Sequence, residues 1–234
     1  MRSIVAAPVA TSSPAAGSTV PEGARDEMLA IRDVGRLLHY GEHLGTDTID
    51  IRMLPPQLHI ASGSLAVFDP GAPDTWHVLD RPIGRGAFRV MLSVARPDAS
   101  ADPAAERGRE RLAAVAIHAG RPPIARWTVA HFRGQGRPTS GDALPRTVAT
   151  TGWIALLDAG DGPPGVLALP PATGLAPIEV PLTDGRRAIA LPCHRGEFAV
   201  YWAVDATDRP ICAVIDLDAF PQKAWKAKAP ARAT

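Results

Sequence analysis

Proline and glycine interrupt this chain so often that long helices are excluded over most of its length. The 234 residues hold 24 prolines and 21 glycines. Proline removes a backbone donor and clashes with the preceding helical turn, and glycine raises the entropy lost on ordering. The apolar runs left between them are short, and short runs bounded by turn residues are the signature of strands. Ile49, Ile51 and Met53 alternate with Asp50 and Arg52 and stop at Pro55-Pro56. Leu58 to Ala61 and Leu65 to Phe68 flank Ser62-Gly63-Ser64, which predicts two short strands or one strand with a glycine bulge. Phe88, Val90, Leu92 and Val94 alternate against Arg89, Met91 and Ser93. Leu112 to His118, Ile124 to Ala130, Trp153 to Leu157 and Arg187 to Leu191 read as further strands. Glu197 to Val204 and Ile211 to Leu217 flank a polar link, Asp205 to Pro210, and predict an antiparallel hairpin.

One segment has helical spacing. Met28, Ile31, Val34 or Gly35, and Leu38 fall on one face with charged residues on the other, predicting an amphipathic helix that ends near Gly41. Residues 1–23 are mostly small residues and proline, too poor in bulk to offset ordering, and read as a disordered arm. Residues 221–234 read as a basic flexible tail carrying Lys223, Lys226, Lys228 and Arg232 around Trp225. Residues 24–220 show no internal repeat and no break between two cores. The expectation is therefore a single, mainly β domain: an antiparallel β-sandwich or open barrel with one N-terminal amphipathic helix. Asp98 to Gly108, His131 to Arg146 and Asp161 to Gly174 are expected to be loops. Gly84-Arg85-Gly86 has no helix after it, which excludes a phosphate-binding Rossmann or P-loop unit.

Composition narrows the function classes. Hydrophobic residues make up 46% and charged residues 21%, enough for a sizeable core. A formal charge of +1 supplies no global field to draw nucleic acid or an anionic membrane. Cys193 and Cys212 are too few for a disulfide scaffold, although a hairpin between them would bring them near one another. The first residues make a poor signal peptide and no run is long enough to span a bilayer, so the expected location is cytoplasmic.

Six strings, in order, resemble a bacterial family known as domain-of-unknown-function family 4241, with this chain a divergent member. They are Leu58 to Pro70 with Ser62-Gly63 and Asp69-Pro70, Gly86 to Ser93, Arg111 to Ile117, Trp127 to Ala130, Gly152 to Asp158, and Phe198 to Asp216 with Tyr201-Trp202 and Asp205. The resemblance implies a single β-rich domain and no established activity. Two departures stand out. Thr150-Thr151 occupies the place of an acidic residue before the glycine, and His194-Arg195-Gly196 stands where the family has a Gly-Asp-Gly turn.

Candidate sites follow from residue type. Asp69, Asp158, Asp205 and Asp216 each end an apolar strand, where carboxylates either bond turn amides or gather as an acid and base pair. His59, Ser62 and Asp69 are the types of a catalytic triad, without the sharp nucleophile turn such a triad uses. His39 and His43 stand four apart with no third ligand nearby, and Cys193-His194 is adjacent rather than spaced for chelation, so no metal is expected. No cofactor motif is present. Trp127, Tyr201 and Trp202 are the aromatic candidates for a binding surface. The reading favoured is a non-enzymatic binding or interaction protein that presents loops from a β scaffold to a protein partner, in the context of immunity or regulation in a bacterial conflict system. The alternatives are a hydrolase or lyase using clustered aspartates, and a weak nucleic-acid binder through the basic tail.

Overall fold

A computed structural model describes residues 34–97, 110–135, 144–160, 162–172, 174–220 and 222–225, with residues 222 and 223 in backbone only. Among these the chain forms fourteen strands: β1 (His43–Leu44), β2 (Asp47–Met53), β3 (Leu58–Ile60), β4 (Leu65–Asp69), β5 (Ala72–Val78), β6 (Gly86–Pro97), β7 (Arg111–His118), β8 (Arg126–Val129), β9 (Arg146–Ala149), β10 (Trp153–Asp158), β11 (Ile178–Pro181), β12 (Arg187–Pro192), β13 (Gly196–Val204) and β14 (Pro210–Asp216). A 3-10 turn at Gly35–Leu38 precedes them and a helical turn at Gln222–Trp225 follows. The nine-stranded sheet runs β1-β2-β6-β7-β14-β13-β8, with β3 beside β6 and β9 beside β13. The five-stranded sheet runs β11-β12-β10-β4-β5. The protein is mainly β and its paired strands are antiparallel, the predicted β13–β14 hairpin included.

Period-two alternation decides which side chains meet. Phe88, Val90, Leu92 and Val94 of β6 share one buried cluster with Leu65 and Val67 of β4 and with Ile154 and Leu156 of β10, so the sheets face each other across a common core. The outer faces are covered too. On the large sheet, Ile49, Ala114, Tyr201 and Val214 are closed over by Leu37, Phe220 and Ala224. On the small sheet, Phe68, Trp153, Ala155 and Leu157 are closed over by Leu167 and Leu169. This second covering explains why every residue of β10 is buried, as its unbroken apolar run requires.

Contrary to the expectation of no repeat, the strand order has an internal two-fold. The six strands β2 to β7 recur in order as β8, β9, β10, β12, β13 and β14, with β11 added. Each half meets its own counterpart antiparallel at two places, β4 against β10 and β7 against β14. Register repeats as well: β3 lies beside Gly86 to Phe88, and β9 beside Gly196 to Ala199. Single hydrogen bonds recur at matching positions. The Ile83 amide donates to the Gly63 carbonyl at 2.9 Å, and the Cys193 amide to the Gly152 carbonyl at 2.9 Å. The Ala119 amide donates to Ile211 at 2.9 Å, and the Leu217 amide to Ala113 at 3.0 Å. Sequence follows suit, with Ser62-Gly63 running to Asp69 as Thr151-Gly152 runs to Asp158, and Arg85-Gly86-x-Phe88 matching Arg195-Gly196-x-Phe198. Gly63 and Gly152 have φ of +85° and +86°, a left-handed turn that excludes other residues without strain.

Other expectations change in detail. Of the two readings of Leu58 to Phe68 the two short strands hold, as β3 and β4, but they belong to different sheets, so Ser62-Gly63-Ser64 is a corner between sheets and not a bulge. Strands β1, β5, β9 and β11 were not legible, and β9 takes in Arg146, the expected end of a loop. The stretch from His131 begins with a bridge between Phe132 and Leu79, and residues 136–143 lie outside the described residues, as do 98–109. The arm and the helix before Val34 also lie outside them, and the described remainder of that helix is the 3-10 turn.

Candidate functional site

The two aspartates at the exits of β4 and β10 do matching jobs. Asp69 is fully buried and accepts hydrogen bonds from the Thr150 and Thr151 amides at 2.5 and 2.8 Å, from both threonine hydroxyls, and from the Gly71 amide at 2.9 Å. Burial alone would raise its pKa, but the Thr151, Gly71 and Thr150 donors together hold it below the ordinary carboxylate value. Asp158 accepts from the Ser62 amide at 3.0 Å and from the Ser62 hydroxyl. Each carboxylate thus leaves one strand and ties down the turn that leads into the strand beside it. Register sets Asp158 opposite Leu65, so the two carboxylates stand about 13 Å apart at opposite ends of the pair.

The other aspartates serve their own turns. Asp205 accepts from the Thr207 amide and hydroxyl and from the Arg209 amide, bonds that hold its pKa down to about 2. Asp216 accepts from the Asp218 amide at 2.9 Å, and burial pushes its pKa up to about 6. The four carboxylates share no hydrogen-bond partner among the described residues. The triad types also part company: Ser62 is bonded to Asp158, Asp69 to the threonines, and His59 is exposed on β3. Among the described residues no three His, Cys, Asp or Glu side chains could share a metal ion. His39 ends the 3-10 turn while His43 begins β1.

The aromatic candidates face inward. Trp202 is fully buried and donates its indole N–H to Asp80 at 3.0 Å, Tyr201 is buried on the outer face of the large sheet, and Trp127 lies against Gly35. Trp225 packs edge-on against Phe220 and its carbonyl accepts from Arg36, while Lys226, Lys228 and Arg232 of the basic tail lie outside the described residues. Both cysteines are free thiols, with Cys212 in the outer-face cluster and Cys193 packed against the central core.

The surface feature that remains is a cleft of about 680 Å³ beside Asp69. Its walls are Pro70-Gly71, the corner Thr151-Gly152-Trp153, the turn Cys193-His194-Arg195, and the stretch Val166 to Ala172. A smaller cleft of about 360 Å³ adjoins it at Ala172, Cys193 and His194, and adds Arg111 and Asp218. Among the described residues the larger cleft has no acid in its lining. Burial, and then the charge of Asp69, push the Cys193 thiol up to about 12, which favours its protonated form. His194 stands edge-on to Phe198 at 5.1 Å between ring centres. Arg195 is exposed with no ion pair among the described residues. Nothing in the sequence pointed to this cleft as a unit, because its walls come from four separate segments; the departures at Thr150-Thr151 and His194-Arg195 were the nearest signal.

Compared with known proteins, the chain matches no family model, no curated protein and no solved structure. Among the described residues no helix is long and apolar enough to cross a membrane.

Proposed function

We propose that this is a non-enzymatic binding protein that holds an acidic, partly apolar segment of a partner protein in the cleft beside Asp69. The observation that carries the reading is the division of charge there. The nearby carboxylate is buried and saturated by five donors, while the described lining of the larger cleft presents His194 and Arg195 and no acid, Asp218 entering only the smaller cleft that shares His194. A general acid or base needs reach to a substrate proton, and Asp69, with its oxygens turned into the Thr150-Thr151 corner, has none. An exposed guanidinium beside apolar walls suits a carboxylate set next to aliphatic side chains. The resemblance to family 4241 supports the same direction, since both places where this chain departs from that pattern border the cleft and both replace an acid.

Selection of a random peptide library on the immobilised full chain tests the reading, with Arg195→Glu as counter-selection and Arg85→Glu, its counterpart in the other half, as control. Acidic, aliphatic peptides should be enriched by the parent and by Arg85→Glu and lost with Arg195→Glu. Equal enrichment on all three proteins, or hydrolysis of the bound peptides that disappears with Asp158→Asn, contradicts it.

A further inference from the structure

We propose that the outer face of the small sheet is a docking site for proline-rich extended segments, and that residues 162–172 are the chain's own occupant of it. Two departures from the internal symmetry carry the inference because they meet at one bond. The first half passes from Asp69 to β5 through Pro70-Gly71 alone, whereas the second half places residues 159–177 and β11 between Asp158 and β12. The first half has the small residue Ser64 after Gly63, whereas the second has Trp153 after Gly152. The indole N–H of Trp153 donates to the Pro170 carbonyl at 2.9 Å.

The occupant has the character of a ligand. Pro163, Pro164, Pro170 and Pro171 bias it to polyproline geometry, and it forms no helix, strand or turn. Leu167 and Leu169 pack on the face whose cluster Phe68 and Trp153 build and Trp76 borders. Between its ends the backbone is tied by the Leu167 amide to the Pro70 carbonyl at 2.8 Å. Val166 points away, 67% exposed. Aromatic faces with an indole donor are a recurring way of reading proline-rich chains, whose ordering entropy is already small. The proposal deepens the binding reading by adding a second partner chemistry, and its test leaves Arg195 intact so that the two fail separately.

The probe is a synthetic peptide of residues 162–172, titrated against the full chain with tryptophan emission as readout. Leu167→Ser with Leu169→Ser loosens the resident segment, and that variant should bind the peptide at least about ten-fold more tightly than the parent. Adding Trp153→Phe should remove the gain, and Arg85→Glu should not. Absence of binding by a variant that melts cooperatively overturns the proposal. Should the variant not fold, hydrogen exchange on the parent decides: the Leu167 amide exchanging at least about ten-fold faster than the β10 amides supports a displaceable segment, and equal rates overturn it.

Discussion

The two ends of the β4–β10 pair are built from the same parts and finished differently. At the first, Ser62-Gly63 is tied to Asp158, the stem of Arg85 lies 3.7 Å from the point where a side chain on Gly63 would start, and Ser64 accepts from Arg133 at 2.6 Å. At the second, Thr151-Gly152 is tied to Asp69, Ala172 from the inserted segment comes within 3.8 Å of the equivalent point, and Arg195 is left with no ion pair among the described residues. The shared parts are thus the ones that hold strands together, and the parts that differ are the ones that make a cleft. A residue common to both ends calls for a structural explanation first, and a residue found at one end alone is where recognition should be sought.

That division can be broken by experiment. The largest effect should come from Asp69→Ala, which strands five donors, three of them backbone amides, and should cost about 3 to 4 kcal/mol in chemical denaturation. Asp158→Ala leaves the Ser62 amide without its acceptor and the Ser62 hydroxyl with only the Ser64 carbonyl at 3.3 Å, and should cost about 2 kcal/mol. A reversed ranking would show that the second end is not the more tightly tied. Next, Gly63→Ala and Gly152→Ala should each cost about 1 to 2 kcal/mol for the left-handed backbone alone. Their new methyl groups would meet only ordinary contacts, at 3.7 and 3.5 Å, so unequal costs would count against the symmetry.

A subtler contrast lies in the other self-pairing. His118 on β7 and Asp216 on β14 occupy matching positions, and both are disfavoured as charged groups. Burial lowers the His118 pKa below 6.5, so its contribution to stability is present above that value and is lost as pH falls through the lowered one. Burial raises Asp216 from 3.8 to about 6, so its contribution is present below 3.8 and is lost as pH rises through about 6. Melting temperatures followed across pH should therefore show His118→Phe gaining on the parent toward acid and Asp216→Asn gaining on it toward neutral. The same slope for both variants would contradict the assignment. Smallest of all, Arg85→Glu and Arg195→Glu should each leave stability within about 0.5 kcal/mol of the parent, since neither arginine has an ion pair among the described residues. A larger loss from Arg195→Glu would make that residue structural.

Much of the frame was legible because alternation is a local signal. Strands β2 and β6 carry it plainly, and β7, β10, β13 and β14 carry nearly unbroken apolar runs. Strand β5 escaped because Asp74 and His77 break its apolar content on a half-buried edge, and β9 because Arg146-Thr147-Val148-Ala149 has little bulk. Thr147 fills the place that Leu58 holds in the other half, and its buried hydroxyl has no partner among the described residues, so a polar residue takes an apolar slot. The repeat escaped for a different reason. Few identical residues survive between halves, and the added segment before β12 breaks any constant spacing. The carboxylate ties were foreseen in kind for Asp69, as a turn residue, but its partners at Thr150 and Thr151 are brought close only by pairing of β4 with β10. The cleft was beyond the sequence for the same reason.

The central claim is that Asp69 and Asp158 are paired ties between neighbouring strands and not members of a reacting group. Two double-mutant cycles test it, Asp69→Asn with Thr151→Val and Asp158→Asn with Ser62→Ala, each measured by denaturant unfolding. The account predicts a coupling of about 1 to 3 kcal/mol in both cycles, with every single variant less stable than the parent. Additive losses in both cycles, or aspartate variants as stable as the parent, would contradict it.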